Sequence, residues 1–314
     1  SDVSLLRAFL PISRGHVLIT SRNSQRCSWD RDSNYIPLQP FSIEEAIDLA
    51  QQFDYAQTVQ EQAVIRSFLS HMPCAPLTLV QLFSTLETKG WDLLESLTDL
   101  QFHEPTDLEQ EIVHILEDSP VHQVQYGRSM VYVLRQSIEQ LLGERESQGK
   151  AALQLLKQLS YLDTANIPVA WLHTWDPEHG HPSKSWIRTA LPMLEKYSLI
   201  QRSFDRKQVY IHADTQLILR HLYSEDAAQV LNITVNALLR YESGKKISQQ
   251  NKEMLSQLLP HGRMLFERLD KAQYPQEAYV LTEYLTEVCR ETCRFRESVE
   301  WAEKCLNLIK SIRP

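Results

Sequence analysis

Apolar residues recur three and four positions apart along most of the chain, and this spacing predicts a mainly α-helical protein. The first such pattern follows Ser42, where Glu45 three residues later completes a capping box and the apolar residues of 43–50 share one helical face. The helical pattern continues to about residue 105. It is interrupted at 72–76, because Pro73 and Pro76 each lack the N–H that a helix interior needs.

Two short segments near the start read as strands instead. Val17, Leu18 and Ile19 form an aliphatic run that ends in polar residues, and a second short strand is predicted at 35–38. Open α/β sheets bind ligands at the carboxyl ends of their strands, so the polar end of the first run is a candidate binding position.

The middle of the chain has the order of a winged helix, in which three helices precede a two-stranded hairpin. Helices are predicted at 108–116 and 129–142, and then at 151–162, 168–172 and 186–196 directly before the hairpin. The hairpin strands are predicted at 199–204 and 208–212, with a turn at 205–207 between them. A polar connector is predicted at 118–127 and a Gly/Pro/His loop at 176–182. From about residue 215 the chain is predicted to be helical to its end, with a break near Pro260.

The last part of the chain resembles one helical repeat unit. Residues 279–309 read as two helices joined at 292–294, with small Ala302 and Cys305 where paired helices would pack closely. Tetratricopeptide units have a period of about 34 residues and need stacked neighbours to bury their faces, so further repeats are expected beyond this one.

Composition and charge restrict the class of binding partner and the cellular compartment that the sequence predicts. The net charge of −8 and the pI near 5.8 disfavour nucleic acid as the partner, because phosphate binding rests on Lys and Arg. No apolar run approaches the roughly 18 residues that a membrane span needs. The five cysteines are odd in number and form no pair of CxxC motifs, and the start shows no signal region. These features predict a reducing cytoplasm.

Several segments, in order, resemble the NB-ARC ATPases of the STAND class of signalling proteins. GHVLITSRN at 15–23 is similar to the strand that carries their sensor-one arginine, and PLQPFSIEEAIDL at 37–49 to the entry of their first helical domain. APLTL at 75–79 is similar to the GLPLA motif. IPVAWL at 167–172 resembles the winged-helix segment, YIHADTQLILR at 210–220 the region of the MHD motif, and LLPHG at 258–262 the helical arm.

The resemblance implies a division of the chain and a bacterial NB-ARC–tetratricopeptide architecture. The implied units are 1–41 as the end of an α/β nucleotide-binding domain, 42–107 as the first helical domain, 108–223 as a winged-helix domain, 224–275 as a helical arm and 276–314 as a tetratricopeptide-like repeat. The implied function is an ADP/ATP-dependent signalling switch. In it, ADP holds the protein closed, ATP exchange releases it to form a homo-oligomer, and the terminal repeat binds a partner protein.

Four residues are implied to bind nucleotide, each with a plainer alternative. Arg22 could donate two hydrogen bonds to the γ-phosphate or form a surface ion pair. Pro76 is expected to open a helix, and its ring could also pack on adenine. Leu77 beside it is assigned to the same nucleotide site. His212 could donate to a β-phosphate oxygen or simply end a strand.

The departures from the family pattern bear on catalysis and cofactors. The sequence has no GxxxxGK[ST], so this part is not expected to hydrolyse ATP or hold magnesium by itself, while slow hydrolysis by the intact protein stays open. The MHD region reads Ile211-His212-Ala213, with the acidic residue moved to Asp214. His173, His179 and His181 lack the further ligands of a metal site, and no catalytic triad can be placed.

Two functions from other classes remain open. One is a DNA-binding regulator that uses the helix around 185–197, where Lys184, Arg188 and Lys196 lie. The other is a scaffold without catalysis, in which the terminal repeat binds a partner and the nucleotide fold is vestigial.

Overall fold

The computed structural model describes residues 40–69, 74–89, 106–117, 124–144, 146–173, 175, 184–242, 249–271 and 273–312. This part of the chain is mainly helical, which confirms the predicted class. The predicted strands at 17–19 and 35–38 and the loop at 176–182 lie outside the described residues.

The first three helices form a small bundle of their own. They are α1 (Ile43–Gln52), α2 (Val59–Leu69) and α3 (Pro76–Lys89). The predicted capping box begins α1: the Glu45 N–H donates to Ser42 Oγ at 3.2 Å, and the Ser42 N–H donates to Glu45 Oε2 at 2.8 Å. The predicted break is confirmed, since α2 ends at Leu69 and α3 begins at Pro76.

The next helices that the structure describes are α4 (Asp107–Glu117), α5 (Val124–Gly143) and α6 (Glu146–Leu159). Helix α5 starts at Val124, so the predicted connector at 118–127 was drawn too long. Helix α6 ends at Leu159 rather than Leu162. Its last turn tightens instead of continuing, because the N–H groups of Tyr161 and Leu162 donate three residues back, to the carbonyls of Gln158 and Leu159.

A small antiparallel sheet is formed by one strand that precedes two further helices and by two strands that follow them. The elements are β1 (Ile167–Pro168), α7 (Val169–Leu172), α8 (Lys184–Lys196), β2 (Gln201–Arg202) and β3 (Gln208–Tyr210). The sheet has three strands in the order β1-β3-β2, with Ile167 opposite Val209 and Arg202 opposite Val209 from the other side. The hairpin was predicted with longer strands, and β1 was not predicted, because two residues carry no periodicity.

The remainder is helical, as predicted. The elements are α9 (Ala213–Leu222), a short 3-10 turn (Ser224–Asp226), α10 (Ala227–Glu242), α11 (Gln249–Arg268), α12 (Pro275–Glu291) and α13 (Phe295–Ile312). The break predicted near Pro260 is wrong: α11 runs through it, with the proline on the exposed face. The predicted joint at 292–294 between the last two helices is confirmed.

Two hydrophobic cores lie side by side in the molecule. The first gathers residues of α1, α2 and α3, and the second extends from Ile112 to Trp301. Helix α5 belongs to both, because Val133 packs in the first core while its neighbours Val131 and Leu134 pack in the second. Across the described ranges, no helix combines the length and apolar character that crossing a membrane requires.

Candidate functional site

The structure places two of the predicted nucleotide residues at the start of α3. Pro76 is its first residue and is exposed, so the predicted helix-opening role is confirmed. Leu77 beside it is half-buried against the second core. Arg22 lies outside the described residues.

His212 lies at the start of α9, as the residue that caps the helix. Its backbone is extended, with φ −66° and ψ 144°, and its Nδ1 accepts a hydrogen bond from the Asp214 N–H at 3.2 Å. The Asp214 carboxylate is 3.7 Å from the same nitrogen, and about half of the histidine side chain is exposed. Because Nδ1 accepts, the neutral ring carries its proton on Nε2. Asp214, the acidic residue that is shifted relative to the MHD motif, thus lies beside His212.

Helix α3 reaches the unit that contains His212 through one turn. The Ser84 and Ser198 hydroxyls are 2.7 Å apart, and Gln81 Nε2 donates to the Ser198 carbonyl at 3.4 Å. Ser198 follows α8 with a left-handed φ of 53°. At 1.5 Å per helical residue, Gln81 lies about 8 Å and Ser84 about 12 Å along α3 from Pro76. The structure therefore joins the two elements through Ser198, beside the packing of α3 on α5 and of Leu77 on the second core.

A polar junction that the sequence did not reveal lies at the end of α6. Gln216 of α9 is fully buried, and its Nε2 donates to the carbonyls of Leu159 and Leu162 at 3.0 and 3.1 Å. Arg220, one turn further along α9, donates to the Ser160 carbonyl at 2.6 Å. These donors satisfy carbonyls that the end of a helix leaves without an intrahelical partner.

Arg268 of α11 adds a third donor to the same carbonyls. Its Nη1 donates to Ser160 at 2.7 Å and to Leu162 at 2.9 Å, and its Nη2 donates to Gln216 Oε1 at 3.1 Å. We call this set, Ser160, Leu162, Gln216, Arg220 and Arg268, the arginine junction. It ties three helices, α6, α9 and α11, to one point.

The guanidinium groups of Arg220 and Arg268 both lie in this partly buried junction. Burial, followed by the neighbouring Arg220, lowers the pKa of Arg268 to about 10, and burial also lowers the pKa of Arg220. The carbonyl end of a helix carries the negative end of its dipole, which favours cations. The carbonyls of α6 therefore offset the repulsion between two like charges.

A second contact fixes α11 to the sheet. His261 of α11 is buried, its ring stacks on Trp171 with centroids 6.0 Å apart, and its Nε2 lies 3.4 Å from the Asn166 carbonyl. Its Nδ1 has no hydrogen-bond partner among the described residues. Burial lowers the pKa of His261 to about 4, so the ring is neutral at pH 7.

The sequence did carry a signal for these residues. Gln216 and Arg220 are four apart and so lie on one face of α9, within the segment chosen for His212. His261 lies within LLPHG, the segment matched to the helical arm. Their role was missed because the carbonyls that they contact lie more than 50 residues away in the chain.

One of the cations on the helix considered for DNA binding, Lys196, is already paired with a carboxylate. The Lys196 amine donates to Glu144 at 2.8 Å, and Tyr197 donates to the same carboxylate at 2.8 Å. Arg188 is exposed. A cation already paired with a carboxylate offers less to a phosphate, since the pair must first be broken.

No protein-family model matches the sequence, and the comparison with curated proteins finds no significant match. The functional argument therefore rests on the residues and on their geometry.

Proposed function

We propose that this chain is part of an NB-ARC/STAND-type signalling protein, in which it couples a bound ADP or ATP to a protein-binding helical repeat. The order of the elements supports this proposal. Helices α6, α7 and α8 precede the β2–β3 hairpin, as in a winged helix, and α12 and α13 form a helical hairpin, as in a tetratricopeptide unit.

The observation that carries the proposal is the contact of α3 with Ser198. Helix α3 begins with Pro76 and Leu77, and the unit beyond Ser198 contains His212. A switch needs nucleotide contacts on two units that can separate, because a ligand shifts an equilibrium only if it binds the two states unequally. The contact with Ser198 is a pair of polar hydrogen bonds beside the packing of α3 on α5, and both Pro76 and His212 are accessible, as nucleotide-binding residues must be.

The arginine junction supplies the coupling that a switch requires. Helix α9 begins at His212 and carries Gln216 and Arg220 to the junction, where Arg268 of α11 arrives. Helix α11 in turn packs on α12, the first helix of the terminal hairpin. A displacement at His212 therefore has a continuous packed route to the repeat.

The compartment that we propose is the cytoplasm. Among the described residues, Cys289, Cys293 and Cys305 are free thiols. Free thiols are the rule where the environment is reducing.

The test is thermal unfolding of this chain, and of a version extended upstream, with and without excess ADP and magnesium. Ligand at 100 times its dissociation constant stabilises the folded state by about 2.7 kcal/mol, which is readily seen in the midpoint. We expect the extended protein to be stabilised by ADP, and His212→Ala to reduce both this shift and the change in oligomeric state on ATP exchange.

The control is His221→Ala, a substitution near the other end of α9 that we expect to leave the shift unchanged. Equal ADP affinity and oligomeric state in the His212→Ala and unsubstituted proteins would contradict the role of His212. No shift at all in the extended protein would favour the scaffold, in which the repeat binds its partner without nucleotide.

A further inference from the structure

The arginine junction brings two guanidinium groups to one carbonyl oxygen. The Ser160 carbonyl accepts from Arg220 Nη1 at 2.6 Å and from Arg268 Nη1 at 2.7 Å, so the two nitrogens lie within twice a hydrogen-bond length of each other. Both arginine side chains are partly buried. Two like charges that are this close and partly withdrawn from water repel each other, and they favour a negative charge beside them.

The described residues supply only part of that negative charge. The carbonyl end of α6 carries about half an elementary charge, against a full positive charge on each guanidinium. Among the residues that the structure describes, neither arginine forms an ion pair with a carboxylate. Burial lowers the pKa of Arg268, and Asp163 and Glu267 oppose this from beyond ion-pair distance. Burial also lowers the pKa of Arg220, which no described carboxylate opposes.

Arg220 has unused hydrogen-bond donors as well as an unmatched charge. A guanidinium has five N–H donors, and within the described part of the chain Arg220 makes one hydrogen bond, to the Ser160 carbonyl. Arg268 already donates three hydrogen bonds within the junction. Arg220 is therefore the residue with the greater capacity to bind a further acceptor.

Tyr161 adds a hydroxyl donor beside the two arginines. Its side chain is 6 % exposed, and its hydroxyl forms no hydrogen bond to any residue that the structure describes. Burial raises the pKa of Tyr161, whereas the nearby Arg220 and Arg268 lower it. The carboxylate of Asp226, which acts on the same hydroxyl, is paired with the Lys157 amine at 2.6 Å. The Tyr161 hydroxyl therefore remains available to an anion bound by the arginines.

A phosphate group matches these donors in charge and in geometry. A phosphate monoester carries about −1.5 to −2 charges at pH 7, which balances two guanidinium groups better than the single charge of a carboxylate. Its terminal oxygens accept from the planar fork of an arginine and from a hydroxyl at the same time.

We propose that the arginine junction binds the phosphate group of a small molecule, with Arg220 and Tyr161 as its main donors and Arg268 as the second cation. The bound anion would hold α9 and α11 together at the end of α6 and so favour one state of the proposed switch. The inference rests on the proposed function only for this regulatory role. The site is separate from His212, because Arg220 lies about 12 Å further along α9.

The experiment measures binding of inorganic phosphate to the whole chain without nucleotide. Thermal midpoints are compared in sodium phosphate and in sodium acetate of equal ionic strength at neutral pH, and the affinity for phosphate is measured by isothermal titration calorimetry. We expect phosphate to raise the midpoint relative to acetate. Repeating the titration with glycerol 3-phosphate distinguishes the source: equal affinity assigns a phosphate monoester, and binding of inorganic phosphate alone assigns the free ion.

Two variants remove one donor each. Arg220→Gln should weaken phosphate binding at least about tenfold, and its fold should be retained because Arg268 still donates to the Ser160 carbonyl. Tyr161→Phe keeps the buried ring, removes the hydroxyl and should weaken binding by about tenfold. Arg296→Gln is the matched control, since it removes an equal charge at a side chain that is 94 % exposed, and it should bind phosphate as the wild type does.

Three results would overturn the proposal. They are equal midpoints in phosphate and acetate, unchanged phosphate affinity in both Arg220→Gln and Tyr161→Phe, and loss of affinity in His212→Ala while Arg220→Gln retains it. The last would assign the anion to the proposed nucleotide site. Failure of ADP to stabilise the extended protein would leave these measurements unaffected, so the two proposals fail separately.

Discussion

Arg268 shows how one side chain connects three helices. It extends from α11 to two carbonyls at the end of α6 and to Gln216 of α9. Gln216 is fully buried and Arg268 is partly buried, so water reaches the Gln216 side chain only if the junction opens. Loss of the guanidinium removes the donor to the buried Gln216 side-chain oxygen, while the Ser160 and Leu162 carbonyls keep the hydrogen bonds from Arg220 and Gln216.

We expect Arg268→Met to lower the free energy of unfolding by about 2 to 3 kcal/mol, since buried polar groups without partners are costly. Arg296→Met is the matched control, because 94 % of the Arg296 side chain is exposed, and it should cost less than about 0.5 kcal/mol. Urea titrations followed by tryptophan fluorescence measure both. Equal midpoints for the two variants would mean that the junction contributes nothing to stability.

His261 gives the stability of the protein a pH dependence with a definite sign. Its pKa in the folded state is about 4, below the ordinary value of 6.5, because burial disfavours the charged ring. Between these values the unfolded chain binds more protons than the folded one. Stability therefore rises with pH across this window and is lost as the pH falls from 6.5 towards 4.

The prediction compares wild type with His261→Gln at pH 7 and pH 5. The wild type should lose about 2 kcal/mol more of its free energy of unfolding than the variant between these two pH values. His221→Gln, at a partly exposed histidine, should keep the wild-type dependence. The same loss in wild type and His261→Gln would show that His261 is not the group responsible.

At the scale of elements, α11 continues where its sequence predicts an end. Pro260 removes the hydrogen bond to the residue four positions back, and its ring lies on the exposed side of the helix. Leu258, Leu259 and His261 around it are buried. The burial of these neighbours outweighs the lost hydrogen bond, because each apolar side chain contributes about 1.5 to 3 kcal/mol.

We expect Pro260→Ala to raise the free energy of unfolding by about 1 to 2 kcal/mol. Alanine restores an N–H that can join the helix, which stabilises the folded state. It also makes the unfolded chain more flexible, which offsets part of this increase in the free energy of unfolding. Thermal unfolding monitored by circular dichroism measures the change. A fall in stability would show instead that the proline is needed to seat His261 against Trp171.

At the scale of the molecule, α5 is the element shared by the two cores. Val133 and Leu134 are consecutive and both are buried, but they pack in different cores. Consecutive helical residues differ in direction by about 100°, so one helix can serve two clusters. The two cores are therefore joined through the body of a helix and not through a linker alone.

This arrangement predicts separate responses to two neighbouring substitutions. Val133→Ala should destabilise the first core by about 2 kcal/mol. Where amide exchange follows local opening, its rate within 43–86 should then rise by roughly 30-fold. Leu134→Ala should cost about 3 kcal/mol and raise exchange within 146–219 instead. Hydrogen exchange read by mass spectrometry resolves these segments. Identical exchange patterns in the two variants would mean that the cores open as one unit.

The local elements could largely be predicted from the sequence. The capping box at Ser42, the start of α3 at Pro76 and the joint at 292–294 each depend on residues within four positions of one another. The short strand β1 could not, because its hydrogen bonds are supplied by β3, some 40 residues later. His212 was found as a candidate from its segment, while its capping bond to the Asp214 N–H is visible only in three dimensions.

The sequence by itself determined the mainly helical class and most helix positions, because apolar spacing and capping are local properties. Only the tertiary structure decided that Arg220 and Arg268 meet at the end of α6, that α11 continues through Pro260 and that Ala302 lies exposed on α13. Each of these depends on which surfaces are buried against distant segments. Burial is the dominant stabilising effect, and it is set by the whole chain and not by any window of it.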